Sequence, residues 1–246
     1  YGETEFRYLV LDEAQYIKNH ATQNAKAVKA LRKAIDALQK RQEEQKPTPV
    51  PVQPGKGTGT DGKNDNPFRD VSKNDWYHDA VAYVYENGLM SGTSRTEFSP
   101  NSATTRGMIV TILWRQAGKP VVNYAMRFED VASGSYYEEA VRWAASIGVV
   151  NGYSETAFGP ADPITREQLA AILYRYAKYQ DKDVTASASL DSFSDAASVS
   201  SYALDAMRWA CGMKLINGAN GKLDPSGLAT RAQVAAILQR YCENVE

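Results

Sequence analysis

Three Asp–Arg pairs recur along the chain, and their spacing is constant. The arginine follows the aspartate by 36 residues in every pair. A guanidinium can hold a carboxylate through two parallel hydrogen bonds, so the chemistry that these arginines could do is the binding of an acidic group. The pairs are Asp70 with Arg106, Asp130 with Arg166, and Asp195 with Arg231.

Each pair belongs to a longer repeated pattern. The aspartate stands in a Phe-x-Asp motif, the arginine directly follows a threonine, and a proline precedes that arginine by six residues in every copy. Glycines recur between the two ends of the pattern. A register kept three times indicates tandem repeats. We predict repeats at residues 67–120, 127–181 and 190–246, and the recurring glycines are Gly88, Gly92, Gly148, Gly152 and Gly218.

Two helices are expected in each repeat. The first is predicted at about residues 77–87, 137–146 and 202–211, with small polar or acidic residues before it as N-caps. The second begins after Thr105, Thr165 or Thr230, and its apolar residues recur at i, i+3, i+4 and i+7. Because one repeat of this size cannot bury enough apolar surface alone, we expect a single cooperative domain.

The first and third repeats depart from the pattern of the second. Lys214 stands where Gly148 stands in the second repeat, so we expect the third loop to follow another backbone path or register. The first repeat has Gly107 and Met108 at the start of its second helix, which makes that start atypical.

The Phe-x-Asp openings, the Gly-x-x-x-Gly turns and the Thr-Arg-x-Gln endings resemble S-layer homology domains. These modules occur as triplets that fasten surface proteins to the cell wall. The resemblance implies a mainly α-helical fold, a pseudo-threefold spindle with one helix of each repeat in a central three-helix bundle. It also implies that secondary cell-wall polysaccharide binds in grooves between the repeats.

The resemblance further implies which residues bind the polysaccharide, whose terminal sugar carries carboxylates as pyruvyl ketals. The opening aspartates and the arginines would line the grooves, beside backbone N–H groups at a helix start that favour an anion. The glycine backbone would approach the sugar closely. Carried over to this chain, the set is Asp70, Arg106, Asp130, Arg166, Asp195, Arg231, Gly88, Gly92, Gly148, Gly152 and Gly218.

A purely structural role remains open for the same residues. Each aspartate could cap the first helix, and each arginine could pair with an acidic neighbour. Trp143 and Trp209 are expected in the core. Further aromatic residues are candidates for stacking on sugar rings, namely Trp76, Tyr77, Tyr136, Tyr137 and Tyr202.

The first 66 residues differ from the repeats. Residues 1–31 resemble motif II of Snf-type helicases, with a predicted strand that ends at Asp12 and Glu13. Because the chain holds no Gly-Lys-Ser/Thr phosphate loop, we interpret these two carboxylates as a vestigial, inert Walker B-like element. Residues 32–46 predict a polar helix, and the Pro- and Gly-rich stretch 47–66 predicts a disordered linker.

Composition narrows the class of function. A net charge of -1 gives no reason to expect nucleic-acid binding, and no apolar run is long enough to span a bilayer. The two cysteines, Cys211 and Cys242, are expected as small apolar residues, although a disulfide is open. The two histidines and the scattered carboxylates form no catalytic or metal-binding constellation, so we expect neither an enzyme nor a cofactor.

The sequence therefore favours a non-enzymatic anchor that binds cell-wall polysaccharide outside the cell. The chain carries no export signal and begins with Tyr1, so it is interpreted as a fragment or a processed product. Two alternatives stay open. One is a fragment of an ATP-dependent helicase fused to a surface module. The other is a structural S-layer protein whose repeats self-associate.

Overall fold

The computed structural model describes residues 66–245, which are mainly helical. The region contains six α-helices and isolated β-bridges but no β-strand. No helix in this range is long and apolar enough to cross a membrane. The predicted strand, polar helix and most of the linker lie outside the described residues, as do Asp12 and Glu13.

Two helices per repeat are confirmed. The first repeat contains α1 (His78–Glu86) and α2 (Arg106–Gln116). The second contains α3 (Glu138–Ser146) and α4 (Arg166–Tyr179). The third contains α5 (Leu204–Gly212) and α6 (Arg231–Asn244), and the short 3-10 helices Ala196–Ser198 and Ser201–Ala203 precede α5.

The threonine caps of the second helices are confirmed. The hydroxyl of Thr165 accepts a hydrogen bond from the backbone N–H of Gln168, and the Gln168 side chain accepts one from the N–H of Thr165. The start of α6 has the same reciprocal bonds, while α2 has only the bond to Thr105. The reason is Met108, whose side chain cannot return the second bond.

The predicted caps of the first helices are wrong. The cap positions are Tyr77, Tyr137 and Ala203, and none of them makes a side-chain cap bond. The preceding polar residues contribute backbone carbonyls instead. The carbonyl of Asp75, for example, accepts a hydrogen bond of 2.9 Å from the N–H of His78.

The turn at Lys214 keeps the backbone path of the turn at Gly148, which corrects the expectation for Lys214. Its φ is +58°, beside +70° for Gly148. The N–H groups of Lys214 and Leu215 also bond back to the end of α5 as those of Gly148 and the next residue do to α3. A left-handed lysine costs about 1–2 kcal/mol. Burial of Leu215 and Ile216 directly after it offsets that cost.

Helices of neighbouring repeats pack against one another and leave one continuous core. The second helix of each repeat packs on the first helix of the next, so α2 contacts α3, α4 contacts α5, and α6 closes on α1. Trp143 and Trp209 are 1% exposed, which confirms their place in the core. Cys211 and Cys242 are free thiols, and partial burial raises the pKa of both.

Backbone hydrogen bonds join the three repeats in a closed cycle. The N–H of Thr104 donates to Ala229, the N–H of Ala229 donates to Ile164, and the N–H of Ile164 donates to Thr104, at 2.8–3.0 Å. Each of these residues precedes a capping threonine. We call this ring, together with the first two residues of α2, α4 and α6, the collar. It needs all three repeats to close.

Candidate functional site

The collar uses up the backbone donors at the start of the second helices. The N–H groups of Arg106 and Gly107 donate to the carbonyls of Asp162 and Pro160 in the second repeat, at 3.0 and 2.9 Å. The starts of α4 and α6 bond to the third and first repeats in the same way. These N–H groups therefore do not attract an anion as expected, because their acceptors are already in place.

The side chain of Arg106 also crosses into the second repeat. Its Nε donates to the carbonyl of Phe158 and its Nη2 to the carbonyl of Asn151, both at 2.9 Å. The guanidinium carbon lies 4.4 Å from the ring centroid of Tyr153 and 4.7 Å from that of Phe158. Arg106 is only 5% exposed, and burial lowers its pKa.

Arg231 makes the equivalent contacts with the first repeat. Its Nε donates to Phe98 at 2.7 Å and its Nη2 to Ser91 at 2.6 Å, with the Phe98 ring 4.5 Å away. Arg166 differs. Its Nε donates to Leu223 at 2.8 Å, and it makes no second hydrogen bond or ring contact within the described residues.

The aspartates hold the same loop residues from the other side. Asp130 accepts from the N–H groups of Phe158 and Gly159, at 2.8 and 2.6 Å. Asp70 does so for residues 98 and 99, and Asp195 for residues 223 and 224. These bonds, with Leu223 first, lower the pKa of Asp195.

Each aspartate therefore shares a loop with the arginine of another repeat. Phe158 lies between Asp130 and Arg106, so the two residues that are 36 positions apart in sequence are not partners in space. The two structural roles considered from the sequence are also wrong. No aspartate caps a first helix, and none of these arginines forms an ion pair within residues 66–245.

Three related cavities lie beside these loops, and we number each groove by the repeat whose loop and second helix line it. Groove 1 has a volume of about 230 Å³, groove 2 about 320 Å³ and groove 3 about 260 Å³. A further cavity of about 480 Å³ adjoins groove 3. The collar arginines that line grooves 1, 2 and 3 are Arg231, Arg106 and Arg166.

Each groove contains a second arginine that the sequence reasoning missed. It lies on the second helix, nine residues after the collar arginine of the same helix, and this constant spacing could have revealed it. Arg175 donates to the carbonyl of Val149 at 3.3 Å, and Arg240 donates to Leu215 at 3.1 Å. Arg115 is exposed. The three arginines line grooves 2, 3 and 1 respectively.

An exposed aromatic residue from the following repeat completes each groove. Tyr136 lines groove 1, Tyr202 lines groove 2 and Trp76, which is 66% exposed, lines groove 3. The predicted candidates Tyr77 and Tyr137 instead pack against the core.

Tyr202 is held in place by Glu167. Its hydroxyl donates to the Glu167 carboxylate at 3.1 Å, and the same carboxylate accepts two bonds from Ser200. Burial first, and then the charge of Glu167, raise the pKa of Tyr202 to about 12.

The predicted glycines divide into two groups. Gly92, Gly152 and Gly218 line the grooves, whereas Gly88 and Gly148 terminate α1 and α3 in left-handed conformations. A Cβ at Gly152 would lie 2.5 Å from the Phe128 ring and from the carbonyl of Ala157. The chain's own packing thus requires that glycine, and its approach to a sugar stays a prediction.

Comparison with known proteins supports the resemblance found in the sequence. The model of the S-layer homology domain matches residues 67–107, 127–170 and 192–235. An endoglucanase of Bacillus sp. (strain KSM-635) is 31% identical over 74% of this chain, and an amylopullulanase of Thermoanaerobacterium thermosulfurigenes is 31% identical over 73%. The surface-layer 125 kDa protein of Lysinibacillus sphaericus is 34% identical over 47%.

The matched region is a small part of each relative. It covers 19% of the endoglucanase, 10% of the amylopullulanase and 10% of the surface-layer protein. The family match begins at residue 67, so the likeness of residues 1–31 to a helicase motif stays a prediction.

Proposed function

The chain belongs to the S-layer homology domain family, and from this premise we propose that residues 67–246 anchor a surface protein non-covalently to the bacterial cell wall. The ligand is secondary cell-wall polysaccharide, and its pyruvyl carboxylates are bound by arginines that line the grooves, which do not all contribute equally. The observation that carries this proposal is the composition of the grooves. Each groove combines two arginines from different repeats with an exposed aromatic side chain.

These groups suit an acidic sugar. Guanidinium groups bind carboxylates through paired, charge-assisted hydrogen bonds, and an aromatic face packs against the apolar face of a sugar ring. Because the two arginines and the aromatic residue of each groove come from three different repeats, the groove exists only when the repeats are assembled. The threefold spindle expected for the family is supported by the cyclic bonds of the collar.

The relatives agree with action at the cell surface. Those named surface-layer protein and cell surface protein indicate that location for the family. Because the relatives named as glycoside hydrolases are matched over a fifth of their length or less, their catalysis does not transfer. We assign this chain a binding role without catalysis or cofactor.

Co-sedimentation with Gram-positive cell walls tests the proposal. The full chain is mixed with purified walls before and after chemical removal of the secondary polysaccharide. We expect the chain to pellet with intact walls and to stay in solution with stripped walls. Equal binding to both preparations, or binding to neither, would refute polysaccharide anchoring.

A second function, self-association, is favoured by the relatives named as S-layer proteins. Sedimentation velocity of the chain without walls or polysaccharide tests it. A concentration-dependent increase in the sedimentation coefficient would support assembly through protein contacts. A constant value for a monomer would leave anchoring as the function of the repeats.

A further inference from the structure

The three collar arginines are not equally available to a ligand. Arg106 and Arg231 each donate hydrogen bonds to backbone carbonyls through two guanidinium nitrogens and lie over aromatic rings. Arg166 is partly exposed and donates only through Nε to Leu223. Its two terminal nitrogens therefore have no hydrogen-bond partner within residues 66–245.

The structural cause is the loop of the third repeat. In repeats one and two the carbonyl that accepts the Nε bond of the arginine belongs to a phenylalanine, Phe98 or Phe158, whose ring lies against the guanidinium. The third repeat has Leu223 at this position. The third loop is also one residue shorter. The turn bond runs from Ala219 to Lys222, compared with Tyr153 to Ala157 in the second repeat. The shorter loop leaves the end of the Arg166 side chain uncovered.

The charge beside the loop also differs between repeats. The residue before Leu223 is Lys222 in the third repeat. The residue at the same place is Ala157 in the second repeat and Glu97 in the first. Lys222 is exposed and lines the cavity that adjoins groove 3, together with Arg166. A cationic side chain there favours an anionic ligand at groove 3, and Glu97 disfavours one near groove 1.

The second helices supply a further difference. Gln168 lines groove 2 and Gln233 lines groove 3. The amide oxygen of each serves the helix cap, and within residues 66–245 the amide nitrogen has no hydrogen-bond partner and can donate to a ligand. Groove 1 has the apolar side chain of Met108 at the same place. Groove 1 thus lacks the side-chain amide donor that grooves 2 and 3 have.

A carboxylate beside groove 3 opposes binding there. The carboxylate of Asp224 lines the adjoining cavity and acts on Arg166 by raising its pKa, against the larger lowering by burial. It does not form an ion pair with Arg166 within the described residues. Asp224 is therefore a competitor that an incoming carboxylate must outweigh.

We propose that groove 3 is the principal carboxylate-binding site of this chain, with Arg166, Lys222 and Arg240 as its cations and Trp76 as its stacking surface. The inference rests on the proposed function and adds which groove recognises the acidic group. Groove 2 takes uncharged parts of the polysaccharide, because its Arg106 is only 5% exposed and bonds to backbone carbonyls through two of its three guanidinium nitrogens. Groove 1 contributes least to acidic recognition.

Tryptophan signals allow a direct test. The chain contains four tryptophans, and Trp76 is the exposed one that lines groove 3, whereas Trp143 and Trp209 are buried in the core. In a ¹⁵N-labelled full chain the four indole N–H resonances are titrated with pyruvylated oligosaccharide released from the wall polysaccharide. The Trp76 resonance, assigned with a Trp76→Phe variant, should move first and saturate at the lowest concentration.

Variants then rank the grooves by affinity for intact walls. Arg166→Ala should weaken binding by at least about tenfold, because a charged hydrogen-bond donor is lost. Lys222→Ala should weaken it about two- to fivefold, as expected for an exposed charge. Lys178→Ala removes an exposed charge outside every groove lining and serves as the control.

A variant that binds walls more tightly cannot owe its effect to misfolding, and Asp224→Ser is expected to be such a variant. Asp224→Ser introduces the residue that the first repeat has at the same place, where Ser99 keeps the backbone bond to its aspartate. Removal of the competing carboxylate should tighten wall binding about two- to fivefold. Oligosaccharide from which the pyruvyl groups have been removed by mild acid should show no such gain.

The outcomes separate the inference from the proposed function. If the wild-type chain binds walls but Arg175→Ala abolishes binding while the three groove 3 variants and the Trp76 resonance show no effect, groove 2 is the carboxylate site and the inference is overturned. If the wild-type chain does not bind intact walls, the anchoring function itself fails, and the inference falls with it.

Discussion

The collar and the grooves lie side by side, yet one repeats almost without change and the other differs in all three copies. The collar is built from backbone N–H and carbonyl groups, which every residue except proline supplies in full. The grooves depend on side chains, where Tyr153 of groove 2 is replaced by Ala219 in groove 3 and Gln168 of groove 2 by Met108 in groove 1. A fold held by backbone bonds can keep its symmetry while its binding surfaces diverge.

Gly152, in the loop of the second repeat, is where we expect a substitution to cost the most stability. Gly152→Ala would press a Cβ against the Phe128 ring and against the backbone carbonyl of Ala157, which cannot move without the loop. We expect the free energy of unfolding to fall by about 2–3 kcal/mol, as for overpacked cores. Thermal and urea denaturation of the variant measure it.

Gly148→Lys is the matched control for that variant. A Cβ at Gly148 meets nothing within 4 Å, and Lys214 occupies the same left-handed position in the third repeat. The expected loss is about 1 kcal/mol, from the left-handed conformation alone. A loss in Gly152→Ala no larger than that in Gly148→Lys would show that the loop relieves the close approach at Gly152 at little cost.

Arg106 and Arg166 differ in how many hydrogen bonds they donate to the neighbouring repeat. Arg106→Ala leaves the carbonyls of Phe158 and Asn151 without their donors and should lower the free energy of unfolding by about 2 kcal/mol. Arg166→Ala breaks one such bond and should cost about 1 kcal/mol. Denaturant unfolding of both variants checks the ratio.

The same pair of variants separates structure from recognition. Wall affinity should respond in the opposite order. Within the described residues both terminal nitrogens of Arg166 lack a hydrogen-bond partner, whereas Arg106 is buried and bonds to the fold through two nitrogens. Folded Arg106→Ala protein, collected below its unfolding midpoint, should keep most of its wall affinity. Loss of binding in that variant with little loss of stability would show that Arg106 contacts the ligand.

The repeats, the helices and the threonine caps were predictable because each depends on residues that are close in sequence. The partners of the arginines were not, because they lie one repeat further on, and the order of repeats around a closed ring cannot be read from spacing. Asp130 and Arg166, which are 36 residues apart in sequence, bond to different loops: Asp130 to that of its own repeat and Arg166 to that of the third repeat. Arg115, Arg175 and Arg240 could have been found from their own spacing.

Lys214 shows another limit of the sequence. Glycine preference in left-handed turns is a matter of about 1 kcal/mol, so buried neighbours can hold another residue in the same conformation. The expectation of a different backbone path gave local preference too much weight. Leu215 and Ile216, both buried directly after the turn, were the signal that the path is kept.

Met108→Gln tests the smallest difference between the repeats. The new side chain can accept the N–H of Thr105 and complete the reciprocal cap that α4 and α6 already have. Stability should rise by about 0.5–1 kcal/mol, and Gln168→Met should lower it by a similar amount. Thermal denaturation of both variants measures the two changes.

Groove 1 would then have the amide donor that grooves 2 and 3 possess, which makes the variant a test of recognition as well. Its Arg231 still has two bonds to the carbonyls of Phe98 and Ser91. We therefore expect wall affinity to stay unchanged while stability increases. An increase in affinity would mean that Met108, and not the two bonds of Arg231 to the backbone, keeps groove 1 from binding. The number of unbonded nitrogens on the collar arginine would then no longer rank the grooves by affinity.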